Sequence, residues 1–252
     1  MIRSLIHRTP GAGGNRDVAR RGAVIGFVGS EAAGKSTLLA EIERRLSGGR
    51  TVLRIHAGKP PATVLTWIPH LLLPALRAMF PSKRSTRIEA RRGGEERSAH
   101  PIMFVVRSVM VAYERRALLV RAFRRATDGE IVLSDRFPSP GAPDGAQLGD
   151  LRTGSVGRFR RRSADLEARL YRDIPAPDLV IHLTAPLEVT LARNSARLKR
   201  EPEDYVRRRH SLAEALVFDD ALVRRIDTDR ALEDTVRDVE RAIRDVLRAG
   251  TR

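Results

Sequence analysis

Gly29, Gly34, Lys35 and Ser36 stand at the spacing G-x-x-x-x-G-K-[ST], and each residue type has a task there. Glycines at the first two places let the backbone wrap until successive N–H groups converge on a phosphate, at the positive end of a following helix. Lys35 then reaches the β- and γ-phosphates of a nucleoside triphosphate, and Ser36 turns a hydroxyl to Mg²⁺. Ser30, Glu31, Ala32 and Ala33 complete the loop, and Thr37 adds a phosphate contact. ATP with magnesium is the expected ligand.

Asp135 and Arg136 are the second chemical pair. They follow the apolar run Ile131-Val132-Leu133, so they fall at the carboxyl end of a buried strand. From there an Asp can orient a magnesium-bound water or take a proton from an attacking hydroxyl, while an Arg holds the acceptor or the migrating phosphoryl group. Ser36 and Asp135 are therefore the residues expected at the metal. Lys59, between Gly58 and two prolines, also follows a strand and is read as an acceptor contact, with an exposed turn as the alternative. Arg193, Arg197 and Arg200 recur at i, i+4 and i+7, a cationic stripe able to close over phosphates as a lid. The alternative there is a solvated face paired with Glu201, Glu203 and Asp204.

These groups need a scaffold, and the apolar pattern supplies one. Residues 23–28 form a continuous apolar run, and residues 38–46 continue at helical spacing until Gly48-Gly49. Strands are expected at 51–56, 130–135, 178–183 and 222–226. Helices are expected at 101–127 with Gly129 as its end, at 187–200 opened by Pro186, at 204–218, and from a Thr228 or Asp229 cap through Leu247. Strands alternating with helices predict an α/β fold of three layers: a parallel sheet of about five strands, helices on both faces, and an arginine-bearing lid near 193–209. Residues 1–21 read as a flexible basic arm and 22–249 as one domain, with a mobile Arg-rich insertion near 81–99 and an irregular substrate-side loop over 139–162, where Asp144 and Gln147 can read a substrate.

Composition bounds the classes. The 252 residues contain no cysteine, which excludes disulfides and thiolate metal sites and is compatible with a cytoplasmic protein. The six histidines show no H-x-x-x-H pair, which argues against a transition-metal site. The net charge of +16 suits anionic substrates, and sparse aromatics disfavour nucleic acid as the partner. No window is apolar enough to span a membrane. The expected partner is a small-molecule phosphate acceptor, with a homodimer left open.

With these landmarks in place, the chain resembles the thymidylate kinase family of P-loop nucleoside monophosphate kinases, in order across roughly residues 23–247. Phe27, Gly29, Glu31, Gly34, Lys35, Ser36 and Thr37 match that family's loop, including its acidic residue. Asp135-Arg136-Phe137 looks like the family's Asp-Arg-aromatic element, and Glu114-Arg115 is similar to a pair whose arginine contacts the acceptor monophosphate. The resemblance implies catalytic roles for Lys35, Asp135, Arg136, Arg193 and Arg197, and substrate contacts from Lys59, Arg115, Arg136 and Phe137. It departs at Val28, where many members carry Glu, and at His56-Ala57-Gly58-Lys59-Pro60-Pro61, which replaces an Arg-Glu-Pro-Gly-Gly loop. The implied function is ATP-dependent transfer of a phosphoryl group to a dTMP-like nucleoside monophosphate. A kinase of another nucleoside or sugar, and a non-catalytic nucleotide-binding regulatory or nucleic-acid-associated protein, are the alternatives.

Overall fold

Alternating apolar side chains divide the central strand between two cores. The structure, a computed structural model, describes residues 7–9, 21–58, 102–139, 157–198 and 200–250. β1 (His7–Thr9) is followed by β2 (Ala23–Gly29), α1 (Lys35–Leu46), β3 (Val52–His56), α2 (Ile102–Thr127) and β4 (Ile131–Asp135). Then come α3 (Arg158–Arg172), β5 (Leu179–Thr184), α4 (Leu187–Ser195), α5 (Glu203–Glu214), β6 (Val223–Asp227) and α6 (Leu232–Ala249). The sheet order is β1-β3-β4-β2-β5-β6, and every pairing is parallel except that of β1 with β3. On β2, Val24 and Val28 share a core with side chains of α2 and α3, while Ile25 and Phe27 share the opposite core with side chains of α1 and α6. Strands buried on both faces with helices over each make the expected three layers.

Local expectations change in several places: α3 opens at Arg158, inside the loop expected over 139–162, and α5 ends at Glu214, short of the expected 218. His7–Thr9, inside the segment expected as a flexible arm, forms an antiparallel edge strand on β3. The helix expected over 187–200 ends at Ser195, because Asn194 hydrogen-bonds both main-chain groups of Glu201 (Nδ2 to O 2.9 Å, N to Oδ1 3.1 Å) and turns the chain. Neither Thr228 nor Asp229 caps the last helix: Thr228 Oγ1 bonds Thr184 O at 3.1 Å, and α6 starts after Ala231 without a side-chain cap. Gly129 does end α2, with φ of 90°. Lys59, the 81–99 insertion, Asp144, Gln147 and Lys199 lie outside the described residues. No helix among the described residues is long and apolar enough to cross a membrane.

The central strand has one position where size is critical. A Cβ at Gly26 would lie 2.9 Å from Phe137 Cβ and 3.2 Å from its Cγ. Gly26→Ala is therefore expected to cost about 1–3 kcal/mol by overpacking, lowering the thermal midpoint by several degrees in a melt monitored by circular dichroism.

Candidate active site

β3 and β4 end together at His56 and Asp135, level with Phe27, and β2 runs two residues further to Gly29 beside β5. Parallel strands ending together open a crevice at their carboxyl edge, and the turn from β2 into α1 forms its floor. Gly29 has φ of 143°, and a Cβ there would lie 2.4 Å from Leu183 O, so only glycine fits beside β5. Gly34 has φ of 83° in the left-handed region and opens α1, and Ala32 also takes a positive φ of 60°. Side chains at a helix start point toward its N-terminus, and Lys35 follows that rule. Its Nζ donates to Gly29 O at 3.0 Å and Ser30 O at 2.5 Å.

A cavity of about 230 Å³ lies over this loop, lined by residues 31–37 with His56, Asp135, Arg136 and Arg197. Arg136 sits in the left-handed region at φ 72°, which costs a non-glycine residue about 1–2 kcal/mol. Three bonds offset that strain: Arg136 N–H donates to Phe27 O at 2.9 Å, Ser134 Oγ–H to Arg136 O at 2.7 Å, and the Arg136 guanidinium to Glu31 Oε1 at 2.6 Å. The Glu31–Arg136 pair thus ties the P-loop to the end of β4.

The electrostatics follow from burial. Burial raises Glu31, but Arg136 and then Lys35 outweigh it and hold the carboxyl at about 2. Burial pushes Lys35 down to about 8, with Glu31 opposing and Arg136 assisting. Burial also pushes Arg136 down, yet Glu31 holds it above its ordinary value. Asp135 is buried; its Oδ2 lies 3.3 Å from His56 Nδ1, and its Oδ1 has no hydrogen-bond partner among the described residues. An unsatisfied buried carboxylate oxygen costs about 1–3 kcal/mol or more, so a ligand-borne donor has a place there.

The P-loop residues, Asp135, Arg136 and Arg197 therefore meet in one crevice, and three other expected residues do not. Phe137 is 3% exposed, packs in the core over Gly26 and does not line the cavity. The left-handed turn at Arg136 breaks the strand alternation and sends the next side chain inward. Arg193 is turned to the end of β6, donating to Thr228 Oγ1 at 3.1 Å and Thr228 O at 2.7 Å, and does not line the cavity. Arg115 is buried under the β3 end, where Nε donates to Ala57 O at 3.0 Å, one terminal nitrogen to Tyr171 Oη at 2.7 Å and the other to Gly58 O at 3.3 Å. Two residues not singled out in the sequence are found here. One is His56, the last residue of β3. The other is Arg209 on α5, whose charge acts on Glu31, Lys35 and Arg136 and which burial, with help from Arg136, pushes below its ordinary value. Tyr205 and Arg209 at i and i+4 were the available signal, since they share one helix face.

No family model matches the chain, and no curated protein sequence does. Solved structures do. The thymidylate kinase from Candida albicans aligns over 89% of this chain and 92% of its own, with a TM-score of 0.52 and 16% identity. The deoxyadenosine kinase from M. mycoides with bound dATP aligns over 88% and 99%, with a TM-score of 0.48 and 14% identity. At such identities the likeness speaks for architecture, and the chain shares with the Candida albicans enzyme the P-loop kinase fold: a five-stranded parallel sheet flanked by helices, here carrying one antiparallel edge strand.

Proposed function

We propose that the chain is a magnesium- and ATP-dependent phosphotransferase acting on a nucleoside-type acceptor. The observation that carries this reading is Lys35, folded back under its own loop with its ammonium on two loop carbonyls, beside a crevice that also receives Asp135, Arg136 and Arg197. The 29–37 backbone would hold the ATP phosphates. Lys35, Arg136 and Arg197 would neutralise charge developing on the γ-phosphoryl group, with Arg209 adding positive potential behind them. Such sites work by positioning and electrostatics.

Magnesium fits what is present. No cluster of three or more His, Cys, Asp or Glu among the described residues could hold a metal alone. Mg²⁺ instead keeps several waters and binds between substrate phosphates and one or two protein oxygens. Ser36, exposed at the start of α1 and lining the cavity, would supply the direct oxygen, and Asp135 Oδ1 would accept from a metal-bound water. When bound, the ion would neutralise charge between the β- and γ-phosphates.

Two acceptors share this donor chemistry: a nucleoside monophosphate, dTMP first by resemblance, and an unphosphorylated nucleoside. The test is ADP release from Mg-ATP with dTMP, other nucleoside monophosphates, nucleosides and sugars, alongside ATP binding by calorimetry. Acceptor-dependent ADP release that stops on chelation of magnesium is expected. ATP binding with no acceptor-dependent release would sink this reading in favour of a non-catalytic nucleotide-binding protein.

A further inference from the structure

The helices on the two faces of the sheet hold their charge differently. On α1 and α6, arginines meet carboxylates at helical spacing: Arg44 and Arg45 reach Glu41, Arg237 reaches Asp234, Arg241 reaches Asp238 and Arg244 reaches Glu240. That layer neutralises itself. α2 and α3, packed together over the opposite core, do not. Among their described residues nine arginines are exposed, five of them on α3 (Arg158, Arg161, Arg162, Arg169 and Arg172), whereas Glu114 and Glu167 are buried and Asp165 is the one exposed acid. Of the nine, only Arg125 meets a carboxylate among the described residues, that of Glu130 at 3.4 Å. Large apolar side chains stand among these cations. Phe159 (53% exposed) and Leu166 (47%) lie on α3, and Val106 and Tyr113 are exposed on α2. Each pair is seven residues apart, two turns, so its members share one face of their helix. The helices run side by side in the same direction, since Val105 packs with Ala164 while Arg115 meets Tyr171 and Arg116 meets Asp173.

We infer that the exposed face of α2 and α3 docks on an anionic phospholipid bilayer, with the arginines on lipid phosphates and Phe159, Leu166, Val106 and Tyr113 set into the boundary between headgroups and acyl chains. Charge selects this occupant. A second copy of the chain would bring arginines against arginines. The 59–101 segment that leads into α2 carries eight basic and three acidic residues, so it is repelled as well. An anionic surface relieves the crowding instead. Nucleic acid would satisfy the arginines, but its bases stack on aromatic rings and give the aliphatic Val106 and Leu166 no role. A bilayer surface uses both kinds of side chain: the anionic leaflet attracts the basic residues, and the apolar ones enter just below the phosphates. None of these side chains lines the cavity over the P-loop, so the docking face is separate from the candidate active site.

The test is co-sedimentation of the full chain with vesicles of phosphatidylcholine alone and of phosphatidylcholine with phosphatidylglycerol, at low and high salt. Binding at least about tenfold tighter to the anionic vesicles is expected, weakening as salt rises. Arg162→Glu with Arg169→Glu is expected to lower that affinity at least about tenfold. Phe159→Ser with Leu166→Ser leaves every charge in place and is expected to lower it about fivefold or more. Melts followed by circular dichroism are expected to match wild type for both pairs. A chain that ignores anionic vesicles overturns the proposal. So does wild-type affinity in the serine pair, which would leave a general polyanion site, and so does a lowered melt in that pair, which would show that this chain already covers the two residues. Binding of a single-stranded oligonucleotide but not of vesicles gives the face to nucleic acid, and a dimer in sedimentation equilibrium that the serine pair dissociates gives it to a second copy; either result overturns the proposal.

Discussion

Lys35→Met is expected to lower kcat/KM for ADP formation by at least about 10³-fold, roughly 4 kcal/mol of lost transition-state stabilisation. The methionine keeps the stem and removes the charge. Lys35 is 9% exposed, and among the described residues its ammonium donates to the Gly29 and Ser30 carbonyls, so it stands ready for a better anion than a peptide dipole. The same substitution separates function from stability. Burial depresses the folded-state value to about 8 from an ordinary 10.5. Between those values the unfolded chain binds more protons than the folded one, so wild-type stability from this group rises as pH climbs from about 8 to 10.5. Below about 8 the cost of keeping a buried ammonium charged is carried in full. Urea titrations across this window are expected to show the slope in the wild type and not in Lys35→Met, and the variant is expected to be at least as stable below it. A variant that loses turnover and also unfolds near neutral pH would show that Lys35 holds the loop together rather than serving the phosphates.

Local pattern was enough to read the sheet and the phosphate loop. The apolar run at 23–28 and the glycine spacing act over a few residues, and the loop geometry follows from them: Gly29 must clear Leu183 O and Gly34 must turn left-handed to start α1. The Asp135-Arg136 pair was legible for the same reason, since a strand's carboxyl end is where its apolar run stops. What could not be read is set by contacts distant in sequence. His56 becomes a site residue only because β3 and β4 pair in a register that brings it to Asp135, 79 positions on. Arg193 keeps helical spacing with Arg197, but the Asn194 bonds to Glu201 end the helix between them and leave only Arg197 on the cavity. Phe137 reads as a continuation of the strand end until the left-handed Arg136 turns it into the core. For Arg193 and Phe137 a single backbone turn overrode a correct local pattern, and for His56 it was strand register.

Arg136→Met is expected to be the most destabilising single change at the site, by about 2–4 kcal/mol, because it removes the partner of a carboxylate that burial alone would neutralise. Glu31 and Arg136 meet at 2.6 Å with side chains 17% and 24% exposed, sheltered enough for the loss to register. The effect should depend on pH in a fixed direction. Glu31 is held at about 2 against an ordinary 4.5, so the stability it contributes is complete above about 4.5 and fades as pH falls toward 2. The deficit of Arg136→Met should therefore be full at neutral pH and shrink in that acid window. Glu31→Gln in the Arg136→Met background removes the orphaned charge and should recover about 1–3 kcal/mol of the loss, the coupling that a double-mutant cycle in urea reads out. Turnover should not return with it. Glu31 satisfies Arg136 in the absence of ligand, whereas the migrating phosphoryl group needs the guanidinium itself, so the double variant is expected to be folded, to bind ATP and to remain about 10²-fold or more below wild type. If activity recovers in parallel with stability, Arg136 is a strut for the P-loop and the cation that meets the phosphoryl group must be sought in Arg197 or Arg209.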